Sequence, residues 1–259
     1  MHTVLLVLAA GLAMLLVELR RPGRAFSKVP GWLPRAVALT LVQAGISFIA
    51  ASTWDRWMPG WRVWSAGGHG IVIDALAGYV TITFVYYWWH RARHEVPVLW
   101  RWMHQVHHSA TRIEVLTSFY KHPIEIAVNG VLSSLLLYVL LGLEPGPAAL
   151  AVTFAGLGEL FYHWNVKTPY WMGFVFQRPE SHCVHHQRGR HTGNFSDLPL
   201  WDLLFGTFEN PREAPDRCGF GPEIEQRLPE LLLGSNIGTI RAGLKDNPVD
   251  GHTTPSRRG

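Results

Sequence analysis

The sequence predicts an all-α fold: a polytopic membrane helical bundle with a cytosolic helical cap that carries clustered histidines. Three observations lead there. Long runs with few or no charges occupy residues 2–17, 36–53, 70–89, 124–143 and 147–164, each near the roughly 20 residues that cross a bilayer. Basic residues gather at one side of these runs. His-x-x-His-His occurs twice, at His104, His107, His108 and at His182, His185, His186, and His-x-x-x-His precedes the first copy at His90 and His94. The mean hydropathy of +0.08 conceals the pattern, because polar histidine segments dilute the apolar ones.

In chain order, the first run holds small residues in AAGLA that a signal-peptide cleavage would use. No Lys or Arg precedes it, however, and Arg20, Arg21, Arg24, Lys28 and Arg35 follow. That bias predicts an uncleaved anchor with its N-terminus outside. The second run leads outward to a loop at 55–69 that has Arg56 and Arg62 and is rich in Trp (Trp57, Trp61, Trp64), as an outer interfacial belt would be. The third run returns inward and ends in Tyr86, Tyr87, Trp88 and Trp89, read as a second belt or in part as the wall of a lipid tunnel to the metals, with His90 at its cytosolic end. Residues 91–123, with Arg91, Arg93, Arg101, Arg112 and Lys121, stay inside. Residues 124–164 form an apolar hairpin broken at Glu144-Pro145-Gly146-Pro147, where a helix does not run through. Out and back is an even number of crossings, so the second histidine triplet returns to the side of the first. Asp74 and Glu159 fall inside apolar runs, where an ionisable group is costly and is expected to face an interior or pair with Arg or His. After Phe208 the chain turns rich in Pro, Gly and charge and reads as a loosely ordered cytosolic tail.

The histidines carry the chemistry. With 14 His in 259 residues, one His-x-x-His-His is expected roughly 0.04 times by composition, so two copies point to metal binding. Residues three or four apart share a helix face, which aims several imidazoles at one point. Imidazole donors suit iron, zinc, copper or nickel and argue against calcium or magnesium. Eight clustered histidines exceed one tetrahedral ion, so two metals with three or four imidazoles each are expected. Asp202, Asp197, Asn194 and Asn165 are candidate partners for the second ring nitrogens, and Asp202 reads equally as a helix cap. Cys183 and Cys218 lie on the cytosolic side, where a disulfide is not expected; Cys183, inside HCVHH, is a spare thiol or a ligand.

Several classes are excluded. The charge of +4 and pI near 9.3 fit a basic face against anionic lipid, and no basic patch interleaves with aromatics as in a nucleic-acid module. There is no Glu-x-x-His of the ferritin-like carboxylate bundles, no His-Glu-x-x-His, no Gly-rich nucleotide fingerprint and no Gly-x-Ser-x-Gly elbow.

WWHRARHEVPVLWRWMHQVHHS, then FYKHPIE, FYHWNV and SHCVHHQRGRHTGNFSDLPLWDLLFGTF resemble the fatty acid hydroxylase/sterol desaturase superfamily of membrane non-haem di-iron enzymes, over roughly residues 70–210. The resemblance implies two iron ions, O2 as co-substrate, and hydroxylation or desaturation of a lipid C–H bond (fatty acyl, sterol-like or other) at a histidine-only site on the cytosolic face. It implies His90, His94, His104, His107, His108, His182, His185 and His186 as ligands, adds His163 where the hairpin re-enters the cytosol, and leaves His122 either a ligand or a positioning group. Relatives with a further His-x-x-x-His would have a ligand four beyond His163, where this chain has Lys167. His2, His69, His191 and His252 are read as non-ligands.

The expected organisation is thus membrane helices and loops at 1–69, a fatty acid hydroxylase-type catalytic region at 70–210 and a polar cytosolic tail at 211–259, forming one membrane-embedded unit. With no electron-transfer domain in evidence, a separate donor such as a b-type cytochrome or ferredoxin is expected, and Arg178, Arg188 and Arg190 are candidates for docking it. The main alternative is a histidine-rich membrane metal transporter or sensor, which would place ligands at mid-membrane along an acidic path. A haem cytochrome would need paired axial histidines on facing spans, which these motifs do not provide.

Overall fold

The computed structural model describes residues 2–237, and among them it holds helices and loops with one isolated antiparallel bridge between Gln187 and Cys218. The chain runs through α1 (His2–Arg20), α2 (Trp32–Ser52), α3 (Ile71–Glu95), α4 (Gln105–Ser109), α5 (Pro123–Ser134), α6 (Pro145–His163), α7 (Pro179–His185), α8 (Pro199–Leu204), α9 (Pro222–Glu225) and α10 (Leu228–Leu232). All five apolar runs are helical. Proline opens α5 to α9, where its missing N–H is one that the first turn leaves unbonded anyway.

Three helices among the described residues are long and apolar enough to cross a membrane: Trp32–Trp61, Ile71–Glu95 and Pro123–Leu140, the last being α5 continued by a π-helical stretch at Leu135–Leu140. Less than two fifths of the most apolar stretch of each is buried inside the bundle. The 25 residues of α3 reach about 37 Å, roughly 7 Å more than the hydrocarbon core, and His90 and His94 lie in its last two turns. The run at 147–164 differs from expectation. It folds as α6, but Pro145, Pro147, its glycines and Glu159 keep it out of that set, and it packs inside the bundle against α1 and α3.

Close packing explains how α6 is held. A Cβ on Gly78 of α3 would stand 3.1 Å from Ala151 and 2.9 Å from the end of Leu137, so a larger residue there would have to displace its neighbours. Tyr79, Ile82, Leu137, Tyr138, Ala148 and Ala151 form the resulting core. The turn before α6 depends on Gly142, whose φ of 61° brings it against the Trp64 carbonyl, 1.9 Å from where a Cβ would sit.

The C-terminal segment departs from the sequence reading. Residues 211–237 are not a loose tail: Ile224, Leu228 and Leu231 pack with Trp32, Ala36 and Val106 in a second core, Leu231 fully buried. Burying such side chains contributes about 1.5–3 kcal/mol each, which fastens α9 and α10 to the start of α2. Residues 238–259, the rest of the expected tail, and His252 with them, lie outside the described residues.

Candidate metal centre

Each histidine triplet divides its members between two places. In the first, His104 and His108, one helical turn apart, join His90 and His94 from the end of α3, while His107 turns away; in the second, His185 joins that group and His182 and His186 turn to His107. The outcome is one group of His90, His94, His104, His108 and His185 and another of His107, His163, His182 and His186. Within each, the ring nitrogens all lie within 4.8 Å of one another. The nine histidines singled out by the sequence therefore converge, with five and four imidazoles where three or four each were expected. The two groups abut: the His108 and His186 rings stack at 4.1 Å.

Local structure does the aiming. His104 ends a π-helical stretch, Trp100–His104, that leads into α4; the wider turn re-phases the chain between α3 and the triplet. His163 ends α6. Backbone carbonyls hold the second ring nitrogen of His90, His163, His185 and His107. Nδ1 of His90 donates to Phe195 O (2.7 Å), that of His163 to Glu159 O (2.9 Å), that of His185 to Gly193 O (2.6 Å) and that of His107 to Tyr120 O (3.3 Å). His104 Nδ1 instead meets the Glu125 carboxylate at 3.0 Å, and Arg93 pairs with the same carboxylate. A proton fixed on Nδ1 leaves Nε2 with a free lone pair.

The donors suit an ion. Burial, then neighbouring imidazoles or Arg93, push His104, His107, His108, His182 and His186 well below the usual imidazole range, and burial takes His185 to about 3. The rings are neutral ligands at physiological pH. Nε2 atoms approach each other at 2.8 Å (His90 and His104), 3.1 Å (His104 and His108), 3.2 Å (His107 and His163) and 3.1 Å (His163 and His182). Spacings of this order would let several of these nitrogens reach one ion at the roughly 2.0–2.1 Å of a metal–imidazole bond. Nε2 of His94 and of His185 and Nδ1 of His186 are buried without a hydrogen-bond partner; each such atom costs about 1–3 kcal/mol, and an ion at the two Nε2 atoms removes that cost.

The other expected residues fall as follows. His122 lies outside both groups: its Nδ1 caps α5 by accepting from Ile124 N, and its Nε2 contacts Leu232 O. His191 sits beside the first group, its Nδ1 3.1 Å from that of His108, and His69 bonds Asp74. Cys183 is directed to Arg24, whose guanidinium is 2.8 Å from the thiol, and both cysteines are free. Asp202 bonds no histidine; it accepts from Phe195 N and Ser196 N and so holds the loop whose carbonyl orients His90. Asn194 ties that loop to Ser181 and Glu209, while Asn165 bonds the Arg24 backbone. Asp74 accepts from Gly68 N at the far end of α3, and Glu159 pairs with Lys121. The docking role expected of three arginines is overturned for Arg178, which is buried. Arg178 is 1% exposed and bonded to Thr168 and Asn210, Arg188 reaches the carbonyls of Cys218 and Gly219, and Arg190 pairs with Glu209. Glu125 and Arg93 are the functional positions that sequence reading missed. The signal that marks Asp74 and Glu159, a charge within an apolar run, applies equally to Glu125.

A cavity of about 510 Å³ leads to the histidines. His90, His104, His107 and His182 border one end; Pro145 and Ala149 border the other. Since Pro145 and Glu159 of α6 both line it, it extends about 21 Å along the bundle. Its lining combines apolar residues such as Ile46, Ile82, Leu137 and Val152 with polar Gln43, Asp55, Asn129 and Ser133, and Lys121, Glu125, Glu159, Tyr162 and Asp197 line it as the histidines do. Burial, then Glu159, pushes the Asp197 carboxyl up to about 7.

Residues 75–207, which contain every histidine of both groups, match the family model for fatty acid hydroxylase. The chain belongs to the fatty acid hydroxylase family. Curated relatives of this fatty acid hydroxylase family member include alkylglycerol monooxygenase of Homo sapiens, 30% identical over 53% of this chain and 31% of that protein. Ornithine lipid hydroxylase OlsE of Rhizobium tropici is 31% identical over 69% of this chain and 50% of that protein. Delta(7)-sterol-C5(6)-desaturase of Nicotiana tabacum is 26% identical over 59% and 55%. The chain thus spans between about a third and half the length of the first two. No solved structure matches it.

Proposed function

We propose that the chain is a membrane-bound, O2-dependent oxidoreductase with two non-haem irons that hydroxylates or desaturates a C–H bond of a lipid, with its histidines on the cytosolic side. The observation that carries this reading is the convergence of nine neutral imidazoles, in two abutting groups, on the end of a slot. His90, His94, His104, His108 and His185 hold one ion; His107, His163, His182 and His186 hold the other. Bound iron supplies the oxidising power that an unactivated C–H bond requires. The relatives' names, a monooxygenase, a lipid hydroxylase and a sterol desaturase, fit the same class of chemistry.

The protein's residues do the rest. The carbonyls of Phe195, Glu159, Gly193 and Tyr120, with Glu125, hold protons on Nδ1 and keep the donors aimed. The slot takes the lipid chain lengthwise and excludes water from the reacting carbon. Lys121, Glu159 and Asp197, next to the histidines, receive the polar end of the substrate. Electrons come from a separate donor protein, which docks elsewhere than on Arg178.

The test is iron content of the purified protein, followed by oxidation of a total lipid extract with O2 and a chemical reductant. Close to two irons per chain, reduced in both His107→Ala and His185→Ala, with O2-dependent lipid products from the parent protein, is the expected result. Stoichiometric metal with no lipid product, but transport of that metal into vesicles, would instead establish the transporter reading.

A further inference from the structure

The apolar surface of the bundle continues beyond the candidate spans. Along α3, Val72, Leu76, Val80, Phe84 and Trp88 are all exposed at intervals of four, a lipid-facing stripe. At the histidine end this stripe runs on. Phe84 meets Trp201 of α8 edge to face with ring centroids 4.9 Å apart, and Trp88 meets Phe205 at 4.7 Å. Beyond them α8 exposes Leu200, Leu203 and Leu204, and the neighbouring 3₁₀ turn Tyr170–Phe174 with the residues after it exposes Trp171, Phe174 and Phe176. Trp171 is 65% and Leu204 63% exposed. The two segments, YWMGFVF and PLWDLLF, contain a single charge, Asp202, and it is turned inward onto Phe195 N and Ser196 N. A water-facing cap does not present such a surface.

We propose that residues 170–176 and 199–205 are seated in the bilayer, with their apolar side chains among the acyl chains of the leaflet next to the histidine groups. The chain is then held by an in-plane platform as well as by its crossing helices. Continuity with α3 favours lipid as the occupant over a protein partner. The rim agrees: Arg91 lies over the Trp88 ring at 5.7 Å and Arg212 over Tyr170 at 4.9 Å, aromatic and cationic pairs of the kind found at headgroup depth. The inference rests on α3 as a membrane span and is independent of which metal or reaction the site supports. It has a consequence for the site, since Asp202 of the platform holds the loop whose Phe195 carbonyl orients His90.

Spin labels on Trp171→Cys and Leu204→Cys, in full-length protein held one copy per lipid nanodisc, test the proposal, with exposed Glu213→Cys as control and the unsubstituted protein as background for Cys183 and Cys218. Labels at 171 and 204 are expected to relax more with O2 than with an aqueous nickel chelate, and the label at 213 the reverse. Nickel access at 171 and 204, or shielding from both reagents as a protein contact would give, overturns the proposal. Should the variants misfold, a diazirine-bearing phospholipid on unsubstituted protein distinguishes the same two outcomes. Adducts on peptides covering 170–176 and 199–205 support the proposal, and adducts on α3 alone overturn it.

Discussion

Among the nine grouped histidines, His104 is the one whose Nδ1 meets a side-chain carboxylate, and Glu125 thereby sets the aim of a ligand while neutralising buried Arg93. Partners of this kind are worth about 10–100-fold in metal affinity. Glu125→Gln is expected to leave the five-histidine group weaker, so that a chelator titration followed by iron analysis passes through a plateau near one iron per chain. It also strands Arg93, a destabilisation of about 3–5 kcal/mol, which the double change Arg93→Gln, Glu125→Gln relieves without restoring metal affinity. A single-step loss of both irons at the parent concentration would count against the assignment. Asp197 makes a pH prediction. Burial raises its carboxyl from 3.8 to about 7, so folding favours the protonated acid. Its contribution is full below about pH 4 and is lost as pH rises to about 7, by at most about 4 kcal/mol. Melting temperature in detergent should fall over that window in the parent protein and fall less in Asp197→Asn; parallel curves would remove Asp197 from the account.

Elements show which information the sequence carries and which it hides. The helices over 2–164 and the convergence of nine histidines were legible, because apolar length and i, i+4 spacing are properties of side chains. The division of each triplet between two groups was not, since it depends on how the π-helical stretch before α4 re-phases the chain. Nor were the carbonyl partners of Nδ1 at His90, His107, His163 and His185, which leave no mark in residue identity. Composition misled at the C-terminus. Pro, Gly and charge disguised Phe220, Ile224, Leu228 and Leu231, whose spacing of four, four and three is that of a buried helical face. Asp202, read as either an orienter or a cap, acts between the two by holding two amides of the loop at 193–196. Asp202→Ala leaves both amides without their acceptor and is expected to cost about 1–3 kcal/mol. Hydrogen exchange should rise at 194–197 and the four-histidine ion should outlast the five-histidine one, because His90 and His185 take their orientation from this loop. Protection unchanged across 194–197 would show that the loop is held by other means.

At the scale of the molecule, the proposed function makes the bundle a ruler set against a fixed reacting end. The histidines close one end of the slot, and Pro145 and Ala149 lie at the other. Ala149 is ten residues from Glu159, about 15 Å along α6, so a large side chain there shortens the space for a lipid tail without touching a ligand. Ala149→Trp is therefore expected to retain its iron and melting temperature while losing activity on long-chain lipids in preference to short ones, by at least about tenfold if one well-packed group is displaced, roughly 1.4 kcal/mol. The measurement is the chain-length distribution of products from a mixed lipid extract, compared with that of the parent protein. A uniform loss across lengths would mean that the tail does not lie along α6, and an unchanged distribution with full activity would mean that the substrate reaches the irons by another path. The control is a substitution near the histidine end: Gly156→Leu, with Val7 already 3.1 Å from an added Cβ, obstructs every chain length alike. The contrast between a graded and a uniform effect is what separates a slot that measures its substrate from a cavity that merely admits it.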